Sequence, residues 1–346
     1  MGVANGKILV VGPSWVGDMI MAQSLFMTIK QHRPQARIDV LAPGWTRPLL
    51  ERMPEVTDSI AMPVGHGKLD LKSRYRLGRQ LRECGYDQAI LLPNSLKSAL
   101  IPWFARIPRR SGFLGEMRWG LLNDVRPLDK SRLSMTVQRF VALGLSDDAA
   151  LPAPIPQPKL QVDPQCVDSA LGRLQMEKPQ APILALCPGA EYGPAKRWPS
   201  DYFAQIARDK LKQGWVVWVF GSEKDKPVAD AICDAAGTEC INLAGCTRLD
   251  EAIDLMSLAE LVISNDSGLM HLAAALDKKL VALYGSSDIG FTPPLCDHAE
   301  VLSLNLDCSP CFKRECPLGH MRCLNDLTPT IVRDAINRLD SGPLAH

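Results

Sequence analysis

A short segment with the sequence Ser264-Asn265-Asp266-Ser267-Gly268-Leu269-Met270-His271 has the residue types that could bind an anion. It follows the apolar residues 261–263 and precedes the small residues 273–275, so a buried strand should lead directly into a helix. The unpaired N–H groups and the dipole at such a helix start favour negative charge, and Ser267 and Gly268 allow a ligand to approach closely. His271 lies about one turn further along and can face the same pocket. The segment alone fits an Asp helix cap with a packed histidine equally well.

Another carboxylate, Asp18, lies directly after the first apolar run of the chain. Residues 7–11 form this run, and the loop 12–18 then places Asp18 at the start of a segment with helical spacing. The loop lacks the Lys-Ser/Thr pair of a Walker loop, and it does not match G-x-G-x-x-G either. Asp18 is thus a carboxylate at a helix start, where helix capping is the commoner role.

Two further loops carry charged residues after predicted strands. The loop after residue 187 contains Gly189 and then Lys196, within a pair of cations just ahead of a helix entered at Pro199. The loop after residue 220 contains Glu223, whose carboxylate could accept hydrogen bonds from ribose hydroxyls. Together with the two segments above, four loops therefore follow predicted strands.

Strand-like apolar runs alternate with helix-like segments along the chain, which predicts an α/β protein with mainly parallel sheets. In open sheets of this kind, ligands bind outside the carboxyl ends of the strands. The four loops should therefore line a cleft shared by two facing domains. The predicted strands cover residues 7–11, 38–41, 88–92, 183–187, 215–220, 261–264 and 280–284.

Proline occupies every second position from Pro152 to Pro158, which predicts a stiff extended linker. A chain of 346 residues is also too long for one ordinary core, so two domains are expected. We predict a first domain over residues 1–158 and a second over residues 159–327. A terminal helix within residues 328–346 could pack back on the first domain.

Charge is unevenly distributed, although the net charge is only +1. Through residue 160 the chain has 22 Lys and Arg against 13 Asp and Glu, a net +9, and the remainder has 17 against 25, a net −8. A positive half suits an anionic partner such as nucleic acid, a phosphorylated glycolipid or an acidic membrane face. The densest stretch begins with Lys68, Lys72 and Arg74, which are candidates for binding such a partner. A solvated helix face is the alternative.

The composition, with 46% hydrophobic and 22% charged residues, is typical of a soluble globular protein. No run approaches the roughly 18 apolar residues of a membrane span, and residues 1–6 lack the basic and apolar regions of a signal peptide. The 11 cysteines are odd in number and scattered, which suits a reducing compartment better than a disulfide framework. We therefore expect a cytoplasmic protein without a transmembrane segment.

Four cysteines near the end of the chain, with a histidine among them, loosely resemble a zinc site. The first pair has the spacing C-x-x-C, but the second pair is separated by six residues, which is irregular for a zinc knuckle. Reduced thiols in a compact loop are the main expectation, and bound zinc is the alternative. The residues are Cys308, Cys311, Cys316, His320 and Cys323.

The four loops stand in an order that resembles the bacterial lipopolysaccharide heptosyltransferases of glycosyltransferase family 9, over nearly the whole chain. The resemblance rests on Gly17-Asp18, Pro188-Gly189-Ala190 with Lys196-Arg197-Trp198-Pro199, Gly221-Ser222-Glu223 and residues 265–271. It implies an inverting glycosyltransferase of the GT-B type, with two Rossmann-like domains facing a cleft. The cysteine-rich tail favours the heptosyltransferase II branch, which adds the second heptose of the inner core.

The resemblance implies that the donor is ADP-L-glycero-β-D-manno-heptose. The implied acceptor is the first heptose of heptosyl-Kdo2-lipid A at the cytoplasmic face of the inner membrane, so the enzyme should be peripheral on that membrane. Asp18 matches the family's catalytic base, which would take the proton of the acceptor hydroxyl. Lys68, Lys72 and Arg74 would then lie on the acceptor side.

The same resemblance assigns the donor side to the second domain. Lys196 and the N–H groups of Ser267 and Gly268 would stabilise the departing diphosphate, while Glu223 would contact the ribose. Asp266 should orient its loop, because a carboxylate would repel a diphosphate. The expected donor-binding residues are Gly189, Glu223, Asp266, Ser267, Gly268 and His271. No metal or cofactor is expected, since the sequence has no Asp-x-Asp pair.

Two other classes of function remain as alternatives. A sugar-nucleotide epimerase or hydrolase could use the same scaffold, because a fold does not determine chemistry. A nucleic-acid-binding protein would fit the basic first half. It is disfavoured because the chain has no recognisable nucleic-acid-binding module and its pI is near 7.5.

Overall fold

A computed structural model describes residues 6–65 and 67–341. The chain divides into two compact units with a boundary between Lys159 and Leu160. Over the described residues each unit contains one six-stranded parallel sheet with helices, which confirms the predicted α/β class. Residues 1–5, on which the expectation of no signal peptide largely rests, and residues 342–346 lie outside the described part of the chain.

The first unit has a sheet in the order β3-β2-β1-β4-β5-β6, in which every neighbouring pair is parallel. The strands are β1 (Lys7–Val11), β2 (Arg37–Ala42), β3 (Asp58–Ala61), β4 (Gln88–Leu91), β5 (Arg109–Phe113) and β6 (Asp124–Arg126). The helices are α1 (Val16–His32), α2 (Arg47–Leu50), α3 (Leu71–Leu81), α4 (Leu96–Phe104) and α5 (Thr136–Gly144).

The second unit has a sheet in the order β12-β11-β10-β7-β8-β9, again with parallel pairs throughout. Its strands are β7 (Ile183–Cys187), β8 (Val216–Val219), β9 (Cys240–Asn242), β10 (Leu261–Asn265), β11 (Lys279–Leu283) and β12 (Ala299–Leu302). Its helices are α6 (Pro164–Arg173), α7 (Ser200–Lys212), α8 (Lys226–Ala236), α9 (Leu249–Met256), α10 (Gly268–Ala275), α11 (Arg322–Asn325) and α12 (Pro329–Asp340).

The strand order of each sheet reverses once, and this reversal determines where a ligand can bind. In the first unit the chain moves outward from β1 to β3 and then returns to place β4 beside β1. In the second unit it moves from β7 to β9 and returns to place β10 beside β7. Loops diverge at such a switch point and leave a crevice beyond the strand ends. The two strands at each switch point, β1 and β4 in the first unit and β7 and β10 in the second, are almost wholly buried and mostly apolar. This is typical of a parallel sheet, in which helices cover both faces.

The proline-rich segment before the boundary has no regular secondary structure and is fastened to α1. The Gln23 side chain donates to Lys159 O at 2.8 Å and accepts from Lys159 N at 3.0 Å. Ser24 donates its hydroxyl to Pro156 O at 2.6 Å. These contacts satisfy backbone groups that an extended proline-rich segment cannot satisfy by itself.

The terminal helix α12 packs on α7, β11 and β12 of the second unit. Val332, Ala335 and Ile336 are its buried apolar residues, and they belong to the second unit's core. Contact between the terminal segment 328–346 and the first domain stays a prediction. Its last residues, 342–346, lie outside the described part of the chain.

Candidate functional site

The switch point of the second sheet is organised by one buried amide, that of Asn265 at the end of β10. Asn265 Oδ1 accepts from Trp198 N at 3.0 Å, and Nδ2 donates to Pro188 O at 2.7 Å. Trp198 is itself buried and donates its indole N–H to Leu327 O at 2.7 Å. The Asn265 amide, which uses both its donor and its acceptor, therefore ties both ends of the loop between β7 and α7 to the end of β10. The Trp198 indole connects this loop to the segment before α12.

Lys196 and Asp266 form an ion pair at this junction. Lys196 Nζ donates to Asp266 Oδ2 at 2.5 Å, and the Ser287 hydroxyl donates to the same oxygen. Asp266 is only 5% exposed, so these hydrogen bonds replace the water contacts that its carboxylate loses on burial. The structure thus brings the predicted cation and the predicted carboxylate together, with Asp266 holding Lys196 in place.

Helix α10 begins immediately after this ion pair. Ser267 is its N-cap residue and has an extended backbone, with φ −151° and ψ 175°, so the first N–H groups of the helix point back toward the loop. Ser267 and Gly268 are only half-buried. A helix start of this kind, next to a lysine, is suited to a phosphate group.

His271 lies on the buried side of the same helix. Burial lowers its pKa to about 4, an effect that Asp266 opposes and Lys196 reinforces. The imidazole is therefore neutral at neutral pH and can offer one N–H donor and one acceptor, but no positive charge.

Gly189 and Glu223 lie in the loops after β7 and β8, and a third residue, Asp225, connects these loops. Asp225 Oδ2 accepts from the backbone N–H and the hydroxyl of Ser222 at 3.0 and 2.7 Å. Its Oδ1 lies 3.5 Å from Arg197 Nη2. A Cβ on Gly189 would come within 2.5 Å of Asp225 Oδ2, so a larger residue there would have to displace this carboxylate. Glu223 is exposed.

Sequence reasoning missed Asp225, because a buried acid two residues after Glu223 has no distinctive motif. It also missed Ser287, which follows β11 and whose hydroxyl reaches Asp266. The only signal for Ser287 was its place after a predicted strand at the same edge of the sheet. Asn265 was within the quoted motif, but its bridging role depends on loops about 70 residues away along the chain.

The Lys196 turn is also braced by the long loop that follows β12. Ala195 N donates to Arg314 O at 3.0 Å, and the Tyr192 hydroxyl donates to Phe312 O at 2.7 Å. The Tyr192 ring is shared by two cations, with Lys196 Nζ 5.0 Å and the Arg314 guanidinium carbon 5.5 Å from its centre. The aromatic ring therefore helps to keep two positive charges near each other.

Cys308, Cys311 and Cys316 lie in this loop and Cys323 lies in α11. Together with His320 they line a small cavity of about 20 Å³. All 11 cysteines fall in the described part of the chain and are free thiols. Hydrogen bonds from backbone N–H groups, chiefly that of Met321, lower the pKa of Cys316, whereas burial raises the pKa of Cys323. Within residues 6–65 and 67–341, no group of three or more His, Cys, Asp or Glu side chains is arranged to hold a metal ion.

The first unit has a cavity of about 990 Å³ beyond the ends of β1 and β4, at the switch point of its sheet. Asp18, in the first turn of α1, lines this cavity and is half-buried. Lys97, in the first turn of α4, and Arg139 supply positive charge to the wall. The indoles of Trp15 and Trp45 are about half exposed at the cavity and offer flat apolar faces that suit sugar rings.

The three basic residues predicted to bind the acceptor do not present their charged groups to the cavity as one group. Lys68 and Lys72 are exposed, and neither is among the described residues that line the cavity. Arg74 lines it but is buried, and its guanidinium donates to Leu69 O, Lys97 O and Lys68 O at 2.5, 3.1 and 3.2 Å. Arg74 therefore holds the loop before α3 against α4.

Among the helices of residues 6–65 and 67–341, none is long and apolar enough to cross a membrane.

Comparison with known proteins gives consistent matches. A family model described as Glycosyltransferase family 9 (heptosyltransferase) matches residues 74–322. Lipopolysaccharide heptosyltransferase 2 of Salmonella typhimurium is 48% identical over 347 residues, which cover 96% of this chain and 98% of that protein. The protein of the same name from Escherichia coli K12 is 48% identical over 342 residues, with the same two shares.

Among solved structures, E. coli ADP-heptose lps heptosyltransferase II is similar with a TM-score of 0.85 and 45% sequence identity. The comparison covers 98% of this chain and 100% of that chain. Asp18 lies outside residues 74–322, which the family model matches.

Proposed function

The chain belongs to glycosyltransferase family 9, the heptosyltransferases, and from this premise we propose that it transfers a heptosyl group from ADP-heptose to the first heptose of the lipopolysaccharide inner core. The proposed acceptor is heptosyl-Kdo2-lipid A, and the enzyme works at the cytoplasmic face of the inner membrane as a peripheral protein. The observation that carries the proposal is the grouping of Lys196, Asp266 and the start of α10 at the switch point of the second sheet.

The donor end of the reaction uses this grouping. When the acceptor oxygen bonds to the anomeric carbon of the heptose, the bond from that carbon to the diphosphate oxygen breaks, and ADP leaves with an additional negative charge. Lys196 and the N–H groups of Ser267 and Gly268 stabilise that charge. His271 is neutral at neutral pH, so it donates one hydrogen bond to the donor and does not take the proton of the acceptor hydroxyl. Glu223 contacts the ribose from the loop after β8.

The acceptor end uses the cavity of the first unit. Asp18 takes the proton of the attacking hydroxyl, since a carboxylate that lines the cavity can act as a general base. Trp15 and Trp45 stack on sugar rings, while Lys97 and Arg139 attract the phosphorylated acceptor. The excess of 22 Lys and Arg over 13 Asp and Glu through residue 160 supports an anionic acceptor on this side.

The direct test is an assay of purified protein with ADP-heptose and heptosyl-Kdo2-lipid A, in which mass spectrometry follows the extended acceptor and ADP release is measured in parallel. We expect one ADP for each heptose transferred, and little ADP without acceptor. Equal consumption of ADP-heptose with and without acceptor would contradict transfer and would instead fit a hydrolase or an epimerase.

A further inference from the structure

The loop after β5 exposes two large apolar side chains and buries the charge between them. Met117 is 80% exposed and Trp119 is 69% exposed, whereas Arg118 between them is 0% exposed. Hydrophobic burial and charge solvation would both favour the opposite arrangement. The conformation of this loop is therefore imposed by specific contacts and not by the local hydrophobic pattern.

Those contacts come mainly from the Arg118 guanidinium. Nη1 donates to Pro93 O at 2.8 Å and to Ser98 Oγ at 3.1 Å. Nη2 donates to Asn94 Oδ1 at 3.3 Å and also to Phe113 O. The arginine thus connects the end of β5 to the loop before α4, and it orients its two sequence neighbours toward solvent.

The backbone just before Arg118 is strained. Glu116 and Met117 both have left-handed conformations, with φ of 44° and 51°, although neither is glycine. Glu116 is fixed there because its Oε2 accepts from Leu96 N at 2.8 Å, at the start of α4. Strain of this kind persists where the surrounding structure imposes it, and it is concentrated at ligand-binding and functional positions.

The exposed side chains border the first-unit cavity without lining it. Glu116, Asn94 and Phe113, to which the loop is attached, belong to the cavity wall. Leu96 and Leu114 beside them are also exposed. We call these four exposed side chains the apolar rim; they are Leu96, Leu114, Met117 and Trp119.

We propose that the apolar rim docks the enzyme on the surface of an anionic lipid bilayer. The inference rests on the proposed function in one respect, namely that a lipid-linked acceptor must enter the adjacent cavity from such a surface. An indole and a flexible thioether are well suited to the interface between headgroups and acyl chains. The net charge of +9 through residue 160 provides the attraction to anionic headgroups.

Vesicle co-sedimentation without donor or acceptor tests the proposal. Wild-type protein should bind phosphatidylglycerol vesicles, and phosphatidylcholine vesicles more weakly. The double variant Met117→Ser/Trp119→Ser should bind phosphatidylglycerol about tenfold less, because both apolar anchors are lost. The matched control Leu318→Ser changes a residue that is 61% exposed in the second unit and should bind like wild type. Transfer to an acceptor without fatty acids should be unchanged in the double variant.

Quenching by brominated phosphatidylglycerol gives a second readout that does not depend on the double variant folding. Wild-type tryptophan fluorescence should be quenched, and Trp119→Phe should lose much of that quenching. Equal vesicle binding by wild type and the double variant would overturn the proposal. It would also be overturned if a rim substitution abolished self-association of the protein but left vesicle binding intact, because the rim would then bind a second copy of the chain. Failure of the wild type to extend the soluble acceptor would reject the proposed function separately, because vesicle binding is measured without it.

Discussion

Lys196 Nζ lies 2.5 Å from Asp266 Oδ2, in an ion pair that is largely shielded from water. The charge of Lys196 is therefore already compensated before any ligand arrives. A diphosphate at the start of α10 would share this lysine with Asp266, and the adjacent helix dipole would add the remaining stabilisation. Asp266 contributes by holding the Lys196 ammonium in position, and this explains why a carboxylate lies in an anion-binding site.

Lys196→Ala should reduce both transfer rate and stability. Loss of the cation should lower kcat about 100-fold or more, and the uncompensated Asp266 should lower the free energy of unfolding by about 3 kcal/mol. Steady-state kinetics and urea unfolding measure the two effects. Adding Asp266→Asn should restore stability but not rate. Lys224→Ala breaks an exposed ion pair with Glu191 and serves as the control, with an expected change below about 1 kcal/mol. An unchanged unfolding midpoint in Lys196→Ala would show that the pair is unimportant for folding.

Asp18→Asn should remove the base while preserving the shape of the first-unit cavity. We expect kcat to fall about 100- to 10,000-fold, the range for loss of general base catalysis. Calorimetric affinity for ADP should stay within about twofold of wild type, since ADP binding is assigned to the second unit. Asp18→Ala should behave alike. Near-normal turnover in either variant would reject Asp18 as the base.

His271 should make the protein less stable in acid. Its pKa is lowered from 6.5 to about 4, so between these values the unfolded chain binds a proton that the folded chain does not. Stability is fully present above pH 6.5 and is lost as the pH falls toward 4. Between pH 7.5 and 4.5 the loss from this group should be about 2 to 3 kcal/mol. Urea unfolding of wild type and His271→Gln at both pH values measures it, and identical pH dependence would contradict the prediction.

Gly189→Ala should disturb the donor loops, because the new Cβ would lie 2.5 Å from Asp225 Oδ2. We expect destabilisation of about 1 to 3 kcal/mol and weaker ADP binding. Gly172→Ala is the matched control, since a Cβ there has open space and α6 should gain up to about 1 kcal/mol. Thermal unfolding and ADP titration compare the two variants. If Gly189→Ala binds ADP like wild type, the close approach to Asp225 has no role in donor binding.

The sequence predicts most of the inner strands, because parallel strands covered on both faces are continuous apolar runs. β1, β4, β7 and β10 lie where these runs lie. Strand β5, with the sequence RRSGF, has no continuous apolar run and was not predicted. Strands β3, β6, β9 and β12 were not predicted either. They have only three or four residues, occupy outer positions of the sheets and are only partly buried, so hydrophobic pattern hardly marks them.

The candidate site was predictable where residues follow strand ends, and unpredictable where distant loops meet. Lys196 and Asp266 were both selected from the sequence, but their pairing depends on how β7 and β10 become neighbours. Arg74 shows the opposite problem. Its place in a basic stretch indicates an exposed ligand-binding face, whereas the carbonyls around α3 and α4 draw its guanidinium into the interior.

The role of Asn265 has a consequence for the chemical stability of the protein, because asparagine can deamidate. Hydrolysis of an asparagine side chain gives aspartate, which cannot donate to Pro188 O and would present a carboxylate to that carbonyl. Asparagine is among the residues most prone to thermal damage, yet this one is 0% exposed and both ends of its amide are hydrogen-bonded. Its chemical lifetime should therefore follow the opening of the surrounding fold, so conditions that keep the second unit closed also preserve the junction of its loops.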